Sequence, residues 1–78
     1  MVKVVLPELG EGISKATVSY WFAKTGERVK EKEDLVELVT DKATFNLPSP
    51  ATGVISETMY NEGDVVEVGQ ILAIINEG

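Results

Sequence analysis

Gly26-Glu27-Arg28-Val29 followed by Leu35, and Gly63-Asp64-Val65-Val66 followed by Leu72, are the stretches that decide the fold. They match at a constant offset of 37 residues, and the same offset lays Val18 on Ile55 and Phe22 on Met59. Further upstream, Leu6-Pro7 with Gly12-Ile13 echoes Leu47-Pro48 with Gly53-Val54 at an offset of 41. The chain therefore reads as two similar halves of about four short strands each. Half of so short a chain cannot bury its own apolar face, so the halves are expected to pack against each other. The predicted result is an all-β flattened barrel or sandwich of two small antiparallel sheets.

The runs between the turn signals fit strands. They are Val2–Leu6, Thr17–Ala23, Leu35–Thr40, Ala43–Leu47, Val54–Met59 and Gln70–Ile75, with Val29 and Val65–Val66 in shorter extended pieces. No segment of helix length carries an amphipathic period with start and stop signals. Glu27-Arg28 fits a polar turn, and Glu31-Lys32-Glu33-Asp34, too short and too polar to bury anything, reads as a solvated loop. Trp21 is expected in the core, where a large aromatic dominates so small a domain. Gly26, Gly53, Gly63 and Gly69 are expected to supply backbone conformations closed to other residues. Pro48 and Pro50 are expected to end strands and protect an edge.

Composition narrows the chemistry. With 78 residues the chain is one domain, read over residues 1–78, and too small for a deep private active site. It has no cysteine and no histidine. That removes thiol and Ser–His nucleophile systems and any zinc or copper site built on those ligands. The acidic residues Glu31, Glu33, Asp34 and Glu37 lack the Asp-x-Asp-x-Asp-Gly spacing of a calcium loop. Net charge is −6, and all seven Lys and Arg fall within residues 1–42, with Lys42 the last of them. Such an acidic domain repels nucleic acid and anionic membranes, so neither is expected as a partner, whereas basic docking surfaces suit it. No apolar run approaches a membrane span, and Met1-Val2-Lys3 enters strand-like sequence without a signal-peptide pattern. A cytoplasmic protein, or an excised piece of a longer one, is the expectation.

Residues 38–47 (Leu-Val-Thr-Asp-Lys-Ala-Thr-Phe-Asn-Leu) join the two halves. Strand-like runs flank Asp41-Lys42, which predicts a hairpin turn there. Two-residue hairpins favour Asn-Gly or Asp-Gly, and the glycine is missing. Asp tolerates turns, and Lys should point outward because burying an ammonium is costly.

Thr40-Asp41-Lys42-Ala43, preceded by Leu6-Pro7-Glu8-Leu9-Gly10-Glu11-Gly12 and followed by Pro48-Ser49-Pro50-Ala51-x-Gly53, resembles the lipoyl domain family, from about Val4 to Ile75. Trp21, the Gly26 turn, Leu35, Gly63-Asp64 and Gly69 belong to the match. The resemblance implies a barrel-sandwich hybrid of two four-stranded antiparallel sheets with pseudo-twofold symmetry. It implies lipoic acid in amide linkage to Lys42, with Thr40, Asp41 and Ala43 as the recognised neighbours. It also implies partners: a thiamine-diphosphate-dependent 2-oxo acid decarboxylase that acylates the arm, an acyltransferase core, a dihydrolipoamide dehydrogenase, and a lipoate ligase or lipoyl synthase system. The cofactor would supply the chemistry and the protein its position, so the domain itself would not be an enzyme. The compartment would be the cytoplasm, or the mitochondrial matrix in a eukaryote. Two positions depart from the pattern: Val39 stands where many members carry an acidic residue, and Ala16 where glycine is frequent.

Three other readings stand beside this one. A biotinyl carrier domain shares size and protruding lysine, but typically flanks it with methionine, where this chain has Asp41 and Ala43. An unmodified acidic docking module would show no adduct with a lipoate ligase. A free-standing enzyme is opposed by the missing Cys and His and by the lack of a phosphate-cradling glycine loop.

Overall fold

The computed structural model describes residues 1–77. They form eight strands: β1 (Val2–Val5), β2 (Lys15–Trp21), β3 (Arg28–Val29), β4 (Asp34–Val39), β5 (Thr44–Pro48), β6 (Gly53–Thr58), β7 (Val65–Glu67) and β8 (Ile71–Asn76). Among the described residues there is no helix. Each strand lies within two residues of a predicted run, because β-branched and aromatic residues fill the runs and Gly, Pro and Asn fill the gaps.

Two four-stranded sheets result, ordered β1-β8-β6-β3 and β5-β4-β2-β7, with every pairing antiparallel. Advancing each strand of the first sheet by four places in the chain, and wrapping round, generates the order of the second. That is the topological form of the pseudo-twofold symmetry. Neither half makes a sheet of its own. Each sheet takes two strands from each half, so the halves interlock rather than stack.

The repeated Gly-acidic signature has a specific cause. Glu27 N–H donates to the Lys24 carbonyl at 2.9 Å, while the Glu27 carboxylate accepts the Lys24 N–H at 2.7 Å. Asp64 does the same to Asn61, at 3.0 and 2.8 Å. An acidic side chain thus closes each turn on itself, and the preceding Gly26 and Gly63 take φ of 90° and 97°, in the left-handed region that favours glycine. A second pair follows. The N–H of Lys30 donates to the Glu33 carboxylate at 2.8 Å, and the N–H of Glu67 donates to the Gln70 side-chain carbonyl at 2.9 Å. Glu31–Asp34, expected as a solvated loop, is exposed but is this ordered turn, with Lys32 at φ 75° where its repeat partner Gly69 has φ 94°.

The core lies between the sheets, and the repeat is written into it. Val18 and Ile55, Val29 and Val66, and Leu35 and Leu72 are all buried. Phe22 and Met59, the remaining matched pair, are both exposed, so the repeat extends to the outer face. Trp21 is buried as expected, and its indole N–H donates to the Tyr60 carbonyl at 3.0 Å. Pro48 ends β5, an edge strand, opposite Asp34. Gly53 departs from expectation. Its backbone is not left-handed; a Cβ there would run into the Asn76 carbonyl oxygen and lie 2.8 Å from Ile75 Cγ2. Close approach of β8, not conformational freedom, requires that glycine.

The body measures 37 × 20 × 18 Å. Strand β1 pairs Val2 with Ile75 and runs from there toward the β1–β2 loop. That loop delivers β2 into the row where Thr17 faces Val39. The two strand termini Val2 and Asn76 therefore lie at the end of the body away from residues 40–43.

Candidate functional site

Strand β4 leaves its sheet at Val39 and β5 returns at Thr44, its register partner. Asp41 and Lys42 form the apex between them. The Thr40 N–H donates to the Ala43 carbonyl at 2.8 Å, closing one side of the turn. On the other side the Thr40 side chain stands in for a backbone carbonyl: its Oγ1 accepts the N–H of Ala43 at 3.0 Å and that of Lys42 at 3.2 Å. The same hydroxyl donates to the Ala43 carbonyl at 3.0 Å. Neither Asp41 nor Lys42 needs a positive φ, which is how the hairpin turns without the glycine that the primed turns demand.

Thr40 is half-buried, whereas Asp41, Lys42 and Ala43 are exposed. The four residues singled out in the sequence are thus brought together, with different duties. Thr40 holds the turn through its hydroxyl, Ala43 contributes backbone, and Asp41 and Lys42 project. Replacing Thr40 by valine keeps the shape and removes the hydroxyl. The expected cost is about 1–2 kcal/mol, seen as a fall in Tm of roughly 4–8 °C per kcal/mol for a domain of this size. Thr40→Ser should restore most of it, and equal melting of the valine variant and the parent would show that the backbone holds the turn alone.

Beside the apex lies a groove of about 260 Å³, lined by Gly12–Ser14 of the β1–β2 loop, Lys15–Thr17 of β2, Val39–Lys42, and Val65 of β7. A Cβ on Gly12, whose φ is +80°, would stand 3.6 Å from Lys42 Nζ. The Ile13 N–H bonds the Gly10 carbonyl at 3.2 Å, folding the loop back at this point. Sequence reading did not place Gly12–Ser14, Lys15 or Val65 at the site. One signal was present: the offset falls from 41 upstream to 37 downstream. The first half therefore carries four extra residues between Leu6 and Val18; the structure has Gly12-Ile13 in the β1–β2 loop but Gly53-Val54 in β6, so that echo is not structural and the extra length falls in the loop that reaches Lys42.

The chemistry available here is that of a primary amine presented at a hairpin apex. No group of three or more metal-ligating side chains occurs among the described residues. An exposed amine beside a groove of mixed polarity fits the carboxyl of lipoate, which needs only a nitrogen that an attaching enzyme can reach. Biotin attaches through the same bond, so the flanking Asp41 and Ala43, rather than the amine, bear on the choice.

A family model described as Biotin_lipoyl, biotin-requiring enzyme, matches residues 2–75. The dihydrolipoyllysine-residue succinyltransferase component of the 2-oxoglutarate dehydrogenase complex of Staphylococcus saprophyticus is 44% identical over 78 residues, covering 100% of this chain and 18% of that protein. The dihydrolipoyllysine-residue acetyltransferase component of the pyruvate dehydrogenase complex of Corynebacterium glutamicum is 42% identical over 74 residues, covering 95% of this chain and 11% of that protein. Among solved structures, the lipoyl domain of the 2-oxoglutarate dehydrogenase complex from Azotobacter vinelandii matches with a TM-score of 0.80 and 38% identity, over 100% of this chain and 99% of that one. The chain thus spans less than a fifth of the length of these curated relatives.

Proposed function

The chain belongs to the biotin/lipoyl family, and from that premise we propose that residues 1–78 are one lipoyl carrier domain of a dihydrolipoyllysine-residue acyltransferase in a 2-oxo acid dehydrogenase complex. The observation that carries this reading is the position of Lys42, exposed at the apex of a hairpin that Thr40 braces. Lys42 Nζ is the nitrogen of the amide, formed on the carboxyl carbon of lipoate. When bound, lipoate supplies a dithiolane that accepts an acyl group and two electrons, which a chain without cysteine cannot provide. The protein's own part is to hold Lys42 exposed at the apex, with its Nζ beside Gly12 of the β1–β2 loop. Asp41 and Ala43 flank it as the features that attaching and acylating enzymes read.

The carrier performs no reaction alone. Its partners are a thiamine-diphosphate-dependent 2-oxo acid decarboxylase, the acyltransferase core, dihydrolipoamide dehydrogenase, and a lipoate ligase or lipoyl synthase system. A bacterial cytoplasm is the compartment that fits. Tethering raises the carrier's effective concentration at each active site and replaces bimolecular collision. Lipoate is favoured over biotin by full-length similarity to a lipoyl domain and by Asp41 and Ala43 in place of methionines.

Intact mass tests the reading directly. Incubation with a lipoate ligase, lipoate and ATP should add one lipoyl group, and a parallel incubation with a biotin ligase and biotin should add nothing. A biotin adduct would move the chain to carboxylase chemistry, and no adduct in either tube would make it a docking module.

A further inference from the structure

The register that seats the lysine turn leaves a strip of alternating threonine and valine on the outer face of the second sheet. Thr44 pairs with Val39, Val39 with Thr17, and Thr17 with Val65. Directly paired residues share a face, so these four stand side by side in one row. With strands about 4.8 Å apart, the row runs roughly 14 Å across the sheet from beside the hairpin. On one side the flanking row on this face carries Asn46, Glu37 and the exposed ring of Tyr20, and on the other Lys15 stands opposite Glu67. Between them Val39 is 37% exposed and Val65 53%. Both valines and Thr17 line the same groove as Lys42, and Ile13 of the β1–β2 loop adds a further apolar side chain.

We propose that this strip is a docking groove for the lipoyl group carried on Lys42, which folds back so that its ring lies over Val39 and Val65. The proposal rests on the carrier reading above. Lys42 itself lines the groove, so any group on its Nζ starts at the rim. Intramolecular contact of this kind acts at an effective concentration in the millimolar range, so the docked form is half populated when the contact's own dissociation constant is about 1 mM. Amide formation also removes the Lys42 ammonium, whose hydration opposes closing the groove. The docked arm is partly shielded from free thiols and is released when a partner's surface covers the strip.

The test uses the whole chain, lipoylated and verified by intact mass. Its methyl spectrum is compared with that of the unmodified chain. The Val39 and Val65 methyls should shift and show cross-relaxation with the ring protons, while Val54, exposed on the other sheet, should do neither. Reduction by dithiothreitol gives a second readout: the reagent gives up two electrons and closes to its own disulfide as the ring opens to the dithiol. Val39→Ser and Val65→Ser, singly and together, should lose the cross-relaxation, and the double variant should be reduced about threefold faster than the parent. Unshifted methyls and equal reduction rates on a fully lipoylated chain would overturn the groove and leave the carrier reading standing. Failure to form the adduct at all would overturn both.

Discussion

Lys42→Arg is expected to abolish lipoylation while leaving the fold in place. A guanidinium keeps the charge but does not form the amide, so the adduct should vanish from the intact mass, and acylation by a decarboxylase should vanish with it. The fold should not register the change. Lys42 is exposed, and its one bond to the rest of the turn runs from its backbone N–H to Thr40 Oγ1, which arginine retains. An exposed substitution of this kind stays within about 0.5 kcal/mol, so thermal melts should agree to about 2–4 °C. Lys15 lines the same groove and is the rival amine there. If the variant still gained a lipoyl group, peptide mapping would place it on Lys15 or another lysine and Lys42 would lose its role.

The second large effect is on stability. Gly53→Ala should destabilise the chain by about 2–4 kcal/mol, in the range of overpacking a filled site. The added methyl meets the Asn76 carbonyl oxygen and the Ile75 side chain. Neither can withdraw easily, because Val54 pairs with Asn76 and Ile55 with Ile75 in the ladder that joins β6 to β8. A domain of this size has a total stability of roughly 4–12 kcal/mol, so a cost of about 4 kcal/mol takes between a third and all of it. Gly63→Ala is the informative comparison. Nothing lies within 4 Å of a Cβ there, so it should cost about 1–2 kcal/mol through its left-handed φ of 97° alone. Denaturant melts that ranked the two variants in the opposite order would mean that β8 yields and that backbone conformation dominates.

These two glycines mark the boundary of what can be read from the residues. The repeat of Gly26 and Gly63, each followed by an acidic residue and a buried valine, predicted two related halves and the positions of the turns. Those turns are local, closed by a side chain on its own backbone three residues away, and local chemistry is visible in sequence. Gly53 was visible as a glycine, but its reason lies in β8, more than twenty residues on, and nothing near residue 53 signals it. The interlocking of the halves was equally hidden, since a repeat states that two units are alike without stating how they exchange strands. At the site, the apex residues 40–43 were legible because they fall at the junction of the repeats. The outer row from Thr44 to Val65 was not, because it joins four strands whose register only the assembled sheet defines. Thr40 was legible as a neighbour of the turn; that its single hydroxyl replaces a backbone carbonyl was not.

The strand ends Val2 and Asn76 lie away from the hairpin on a body 37 Å long. A chain joined at either end therefore holds the domain by one pole and leaves the load at the other. The domain then acts as a stiff boom between hinge and hook: its own length adds to the radius that Lys42 can sweep, without the loss of effective concentration that an equal reach in flexible linker would bring. On the proposed carrier reading, turning the boom about its hinge would present the same amine to catalytic centres facing different directions. On that reading, the length of the β-sheets would then set the distance over which one carrier can serve several enzymes.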